Sequence, residues 1–312
     1  MSDDAFRDAL ILSGPTGSGK SRLALTLAER LGAEIVSMDS MTLYRRMDIG
    51  TAKPTPEERR RVRHHLIDVL EPWDSATVAW WLDQAAGCCR EITARGGRIL
   101  FVGGTSLYLK ALLHGLFESP PADEAIRLRL TEDATRLGRE EVHRRLAAVD
   151  PVAAARLHPN DLRRVIRALE VWELTGRPIS AWQTQWTQPA RPTSSGLPRC
   201  LWLDLPREVL YKRIDARVRQ MIADGLVEEV RALQSLEPPL SREAAQALGY
   251  KELFAHLDGL ASLEEAIRQI QTRSRQFAKR QLTWLRHLPE CHPASEELTI
   301  RLWGSTMEEE HP

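Results

Sequence analysis

The chain has 312 residues, 43% of them hydrophobic and 28% charged, with 43 basic side chains balanced by 43 acidic ones. That length and composition suit one large or two modest globular domains with a real core, and they exclude a disordered or low-complexity chain. A formal net charge of zero excludes a global field drawing the protein to nucleic acid or membrane, so polyanion affinity must come from local clustering.

The first elements in chain order form a βαβ unit. Ala9 to Leu12 reads as a buried strand, Ser21 to Leu31 as a helix stopped by Gly32, and Glu34 to Met38 as a second strand ending at Asp39. Between strand and helix lies Gly14-Pro15-Thr16-Gly17-Ser18-Gly19-Lys20-Ser21, which fits the G-x-x-x-x-G-K-[ST] phosphate loop at every position. In such a loop the glycines turn backbone N–H groups inward, the lysine reaches the terminal phosphates, and the serine hydroxyl can ligate Mg²⁺. The helix start adds its positive dipole end. The loop therefore predicts a bound diphosphate or triphosphate without saying which bond breaks.

From Ser40 to Pro56 no clear period is present, and this predicts a long loop with a short helical turn on the active rim. A short helix follows from near Pro56 through Arg63, then a strand over His64 to Val69, a helix over about 75–95, and a strand over Arg98 to Val102. Gly103-Gly104-Thr105 opens another helix. Ser119-Pro120-Pro121 marks a break, and from Asp123 to about Gly176 every pattern is helical. The stretch from Trp182 to Pro198 reads as a linker. Strand character returns at Cys200 to Pro206, expected to be the last strand of a parallel sheet. Helices are expected over 207–223, 226–235 and about 262–288, before an acidic tail at Glu308 to Glu310.

The expected fold class is α/β, a P-loop NTPase-like parallel sheet flanked by helices with an all-helical insertion domain. The expected division is 1–118 for the first part of the core, 119–198 for the insertion with its linker, and 199–312 for the second part. Cys88, Cys89, Cys200 and Cys291 lack C-x-x-C spacing and a zinc-type histidine pair, so they read as reduced thiols. No apolar run approaches the ~18 residues a membrane helix needs, and Met1 to Arg7 carries no signal pattern. A cytoplasmic protein with no membrane association is the expectation.

Asp39, at the end of the strand beside the phosphate loop, is placed either for acid–base work or simply to cap the next turn. Thr105 has the same two readings: helix cap or substrate contact. Arg213, Arg217 and Arg219 lie on one helix and could clamp phosphate oxygens or form a solvated face. Arg163, Arg164 and Arg167 share one side of a helix started by Asn160 or Asp161. The stretch from Arg268 to His287 carries six Lys and Arg residues and no acid, so the two segments together either track a nucleic-acid backbone or merely face solvent. Trp80 and Trp81 read as core, and His64-His65 as packing at a strand edge.

Taken together, these residues resemble one family. GPTGSGKS at 14–21, DSMTLYRRMDIGTAKP at 39–54, HHLIDV at 64–69, GGTSLYLKAL at 103–112, HPNDLRRVIRALEVWELTGRP at 158–178, LGYKEL at 248–253 and RQFAKRQLTWLR at 275–286 look like the successive signatures of bacterial tRNA dimethylallyltransferases. The resemblance implies transfer of a dimethylallyl group from dimethylallyl diphosphate to N6 of the adenosine 3′ of the anticodon, releasing diphosphate. It implies Asp39 and Thr105 as catalytic residues, residues 14–21 with Arg217 as the diphosphate site, and Mg²⁺ on Ser21. It implies RNA contacts from Asp39, Ser40, Met41, Thr42, Thr105, Arg127, Arg163, Arg164, Val165, Ile166, Arg167, Gly249, Tyr250, Lys279 and Arg280. The partners implied are tRNA, by its anticodon stem-loop, and dimethylallyl diphosphate, acting on a monomer.

Thr42 and Arg163 stand where the family usually has glutamine, and Arg46 and Ser106 where it usually has glycine. A P-loop small-molecule kinase and an adenylate dimethylallyltransferase share the phosphate loop, but neither needs an insertion or an acid-free basic helix. A non-catalytic RNA-binding module would not need Lys20 and Asp39.

Overall fold

The computed structural model describes residues 5–116, 120–183 and 198–304, so most of the expected linker and the acidic tail lie outside the described residues. In chain order the elements are β1 (Leu10–Ser13), α1 (Lys20–Leu31), β2 (Ala33–Ser37), α2 (Pro56–Arg61), β3 (His64–His65), α3 (Val78–Ala94), β4 (Arg98–Val102), α4 (Ser106–His114), α5 (Glu124–Leu137), α6 (Arg139–Val149), α7 (Pro151–Arg156), α8 (Leu162–Thr175), α9 (Ile179–Trp182), β5 (Cys200–Leu203), α10 (Arg207–Ala223), α11 (Leu226–Gln234), α12 (Arg242–Ala245), α13 (Tyr250–Leu257), α14 (Leu263–Arg286), β6 (Cys291–Ala294) and α15 (Glu296–Gly304). They divide into two compact units, Met1–Leu113 with Ala190–Pro312, and His114–Pro189.

The first unit is built on six strands in the order β3-β2-β4-β1-β5-β6, every neighbouring pair parallel. A parallel sheet must be covered on both faces, which is why β1 and β5 read as unbroken apolar runs and not as alternation. Leu23 and Leu27 of α1, with Trp303 of α15, form one apolar cluster with Leu12, Leu100 and Leu201 of the sheet. Trp81 of α3 is wholly buried, stacks on Tyr108 at 4.3 Å between ring centroids, and donates its indole N–H to Ser37 O at 3.1 Å. Its neighbour Trp80 is only half-buried, which corrects its assignment to the core.

Two strand expectations change. The strand read over His64 to Val69 is only two residues long, because Leu66 and Asp68 adopt left-handed backbone, each at φ 57°. The turned segment instead braces the neighbouring loop, with Asp68 N donating to Thr42 O and Val69 N to Leu43 O. As expected, the histidine pair lies on an edge strand. The stretch from Cys200 is not the last strand: β6 pairs beyond it and α15 follows. Pro293 and the polar His292 disguised β6, and proline is tolerated on an edge strand because one side needs no ladder. The four cysteines are free, and Cys200 faces Cys291 across β5 and β6.

The second unit contains α5 to α9 and, among the described residues, no strand. Leu130, Val142, Leu146, Val165 and Leu169 fill its core. Asp150 stands at its centre, 1% exposed, and accepts the N–H groups of Ala153 and Ser180 at 2.9 Å each.

Candidate active site

The phosphate loop joins β1 to α1 with Gly17 and Gly19 at φ 80° and 93°, a region that L side chains rarely adopt. A Cβ on Gly17 would lie 2.9 Å from Ile214 Cγ1, so the loop also packs directly on α10. Arg213 of α10 donates to Ser18 O at 3.3 Å. Ser18 Oγ is buried and has no hydrogen-bond partner among the described residues. Leaving a buried hydroxyl unpaired costs on the order of 1–3 kcal/mol, and a phosphate oxygen in the cradle would satisfy it.

Three charged side chains influence one another electrostatically beside this loop. Lys20, in the first turn of α1, is lowered to about 8, chiefly because the protein strips it of water; Asp39 pulls the value up and Arg217 pushes it down. Arg217 is itself lowered by burial, against the attraction of Asp39. Two cations thus lie within electrostatic reach of one carboxylate. That arrangement is short of negative charge, which is what an anionic leaving group would supply.

Asp39 makes the capping bond that one of its two readings required. Its Oδ1 accepts Met41 N at 2.9 Å, capping the turn, while the half-buried carboxylate stays on the rim beside Lys20 and Arg217. Thr105 links two strand ends through its hydroxyl. Its Oγ accepts Ser40 N at 3.0 Å and lies 3.5 Å from Ser40 Oγ, tying the end of β4 to the end of β2. The strand ends approach so closely that a Cβ on Gly103 would fall 2.1 Å from Met38 O. Ser40 and Met41 are half-buried on this rim. Thr42 is buried, 6% exposed, with its hydroxyl 2.8 Å from Ser37 Oγ, so its side chain supports the loop and does not face a substrate.

The loop after Asp39 is held from below. Lys53, its side chain 2% exposed, donates to Tyr44 O, Asp48 and Asp68 at 2.6 Å each. Glu229 of α11 accepts Asp48 N and Ile49 N at 2.8 Å and Gly50 N at 3.2 Å. Tyr250, assigned to RNA, is wholly buried: its hydroxyl donates to Glu229 at 2.6 Å and its ring lies against Gly50. Gly249 is buried too, at φ 98° as the N-cap of α13. Both therefore position the loop from beneath it.

On α14, two of the six cations are spent internally, Arg273 on Glu252 and Arg275 on Asp215. Lys279 and Arg280 are exposed beside Phe277 and the half-buried Trp284, with Lys110 Nζ 5.7 Å from the Trp284 ring centroid. These two stay open to a polyanion, and with Gln276, Thr283 and Trp284 they line a cavity of about 360 Å³. Gln281, missed by motif reading, is 3% exposed. The signal was a glutamine on the buried stripe of Ile270, Ser274, Ala278 and Leu285, where an amide must find partners for both ends.

In the second unit Arg163 and Arg164 are exposed on α8, while Val165 and Ile166 face the unit's own core. RNA contact by those two side chains is thereby corrected: they hold the helix that presents the arginines. Arg127 and Arg167, both part-exposed, converge on the fully buried Glu170, which also accepts Asp123 N at 2.7 Å. Asp161 stands at the N-cap of α8 without a side-chain capping bond and pairs with Arg164 at 3.3 Å.

A parallel sheet carrying a phosphate loop, a carboxylate on the adjacent strand and a cationic helix across the loop defines a P-loop enzyme of group transfer from a phosphorylated substrate. The IPP transferase family matches residues 42–288 and the Isopentenyl transferase family residues 7–70. A tRNA dimethylallyltransferase of Geobacter metallireducens is 52% identical over 92% of this chain and 92% of its own, and one of Geobacillus kaustophilus is 46% identical over 89% and 87%. Among solved structures, the full-length tRNA isopentenylpyrophosphate transferase of Bacillus halodurans is 38% identical with a TM-score of 0.67, covering 97% of this chain and 96% of that one. A eukaryotic dimethylallyltransferase acting on tRNA is 26% identical with a TM-score of 0.74 over 96% and 77%. The chain belongs to the tRNA dimethylallyltransferase, or IPP transferase, family.

Proposed function

We propose the following roles for this chain's residues in the family's reaction. The enzyme transfers the dimethylallyl group of dimethylallyl diphosphate to N6 of the adenosine 3′-adjacent to the anticodon in tRNA and releases diphosphate. The adenine amine is a poor nucleophile because its lone pair is delocalised, whereas an allylic carbon departs readily once the leaving charge is stabilised. The C–N bond forms as the C–O bond to diphosphate breaks, and the amine's proton passes to Asp39.

Lys20, Arg217 and the backbone N–H groups of the phosphate loop that are not already bonded within the protein receive the diphosphate charge, and Ser18 Oγ adds a donor. Thr105 fixes Ser40 and hence the direction of Asp39. The observation that carries this reading is the phosphate loop with its buried, unpaired Ser18 hydroxyl, packed against α10 through Gly17 and Arg213, with Lys20 and Arg217 within electrostatic reach of Asp39.

Among the described residues no cluster of His, Cys, Asp or Glu could hold a metal ion, and Ser21 offers one exposed hydroxyl. That donor set suits Mg²⁺ arriving on the diphosphate and keeping most of its waters. When bound there it would neutralise leaving-group charge, with Ser21 as its protein oxygen.

Arg163, Arg164, Lys279 and Arg280 are exposed cations suited to the anticodon stem-loop phosphates, with the target base turned out of its stack. Arg127 and Arg167 reach RNA only from their pairing with Glu170. No helix of the described residues is long and apolar enough to cross a membrane, and we assign the enzyme, as a monomer, to the compartment that holds tRNA.

The test is incorporation of labelled dimethylallyl groups into unmodified tRNA with Mg²⁺, run beside AMP and labelled ATP. Label in tRNA alone, lost in Asp39→Ala, is the expected result. Label in AMP, or phosphate transfer from ATP, would replace this reading with the adenylate transferase or the kinase.

A further inference from the structure

Gln281 lies two turns along α14 from the internally paired Arg273 and Arg275, next to the exposed Arg280. It is 3% exposed, and both ends of its amide are used on the phosphate side of the sheet. Oε1 accepts the N–H of Thr16, third residue of the phosphate loop, at 2.8 Å. Nε2 donates to the carbonyl of Gly104, in the turn that leads to Thr105, at 2.7 Å. The fit is close: a Cβ on Gly104 would fall 2.3 Å from Nε2, so only glycine leaves room for the amide.

These bonds join three elements that are far apart in sequence. Thr16 N lies within the phosphate loop, and an accepted bond there restrains which way the adjoining peptide units face. Gly104 O belongs to the turn whose next residue latches Ser40. One side chain therefore sets the phosphate loop against the acid-bearing rim, and it does so from the helix whose outer face carries Lys279 and Arg280.

We propose that Gln281 is a positioning residue: it orients the phosphate loop for the leaving diphosphate and makes that orientation depend on α14. The inference rests on the assignment of the loop to diphosphate given above. Loss of two hydrogen bonds whose partners are buried weakens a preorganised cradle more than it weakens the fold, since packing is kept by an isosteric side chain.

The experiment compares the full-length wild type, Gln281→Met, Gly104→Ala and Lys20→Ala, reading inorganic diphosphate affinity with Mg²⁺, affinity for an anticodon stem-loop RNA, and thermal midpoint. Gln281→Met is expected to weaken diphosphate binding about tenfold while RNA affinity stays within about twofold. In turnover, KM for dimethylallyl diphosphate rises with KM for RNA unchanged. Gly104→Ala, which displaces the same amide, shows the same split, and the double variant is no worse than the weaker single one because both break one strut.

Diphosphate affinity in Gln281→Met equal to wild type, with Lys20→Ala defective, overturns the inference and leaves the phosphate-loop assignment standing. Equal loss of diphosphate and RNA binding with a lowered midpoint also overturns it, since that marks a general packing defect. Wild type and Lys20→Ala both failing to bind diphosphate removes the underlying assignment itself.

Discussion

Tyr250 donates its hydroxyl to Glu229 at 2.6 Å, and that same carboxylate holds the N–H groups of Asp48, Ile49 and Gly50. The D-I-G signature is thus a backbone turn gripped by an acid from α11, and Tyr250 fixes the acid. Replacing Glu229 with Ala strands these donors and should destabilise the protein by at least about 1–3 kcal/mol, read by denaturant unfolding. Tyr250→Phe should cost about 1 kcal/mol and raise KM for tRNA more than KM for the diphosphate. A Tyr250→Phe enzyme with weakened RNA binding but wild-type stability would restore a direct RNA contact to Tyr250.

Lys20 is charged below about 8 and neutral above it, so the cradle loses a positive charge as pH rises through that value. Asp39 pulls this value up and Arg217 pushes it down. Asp39→Asn should therefore shift the alkaline fall in diphosphate affinity to lower pH, and Arg217→Gln to higher pH despite weaker binding overall. Calorimetric titration with inorganic diphosphate over roughly pH 6.5 to 9.5 measures this. Comparing variants cancels the ligand's own ionisation, and identical limbs in wild type and Asp39→Asn would refute the coupling.

Thr105 earns its place by a single acceptor atom. Thr105→Ser keeps the hydroxyl that receives Ser40 N and should retain most of kcat, whereas Thr105→Val keeps the shape, loses the acceptor and should lower kcat about tenfold or more. Single-turnover rates with both substrates saturating separate this from binding. Equal rates for the two variants would reduce Thr105 to packing.

Glu34 tests the sheet edge independently of catalysis. The Arg95 guanidinium first, and His65 with it, hold this carboxyl down to about 2 against a usual 4.5. A depressed acid stabilises the fold above its unfolded value and loses that contribution as pH falls, here between 4.5 and about 2. Glu34→Gln should be less stable at neutral pH and lose less on acidification through that window, with unchanged turnover. Parallel acid-unfolding curves for the two proteins would contradict it.

Local sequence was enough for what depends on neighbours along the chain. The phosphate loop, the buried runs at β1, β4 and β5, the helical periods and the family's ordered signatures all report bonding within a few residues, so backbone geometry follows from residue type. Edge strand β6 escaped because Pro293 and His292 carry no apolar pattern, and the strand predicted to reach Val69 stopped early because Leu66 and Asp68 turn to serve a loop distant in sequence.

Tertiary structure alone decided which charged and polar residues remain available. Arg127 and Arg167 look like Arg163 and Arg164 in sequence, yet a buried Glu170 engages the first two. Tyr250 and Thr42 carry polar groups inside signature motifs, yet burial turns both inward. A side chain's role depends on whether its polar atoms are satisfied before any ligand arrives. That is set by partners such as Glu170, Glu229 and Gly104, brought together from distant segments by packing, which no local pattern encodes.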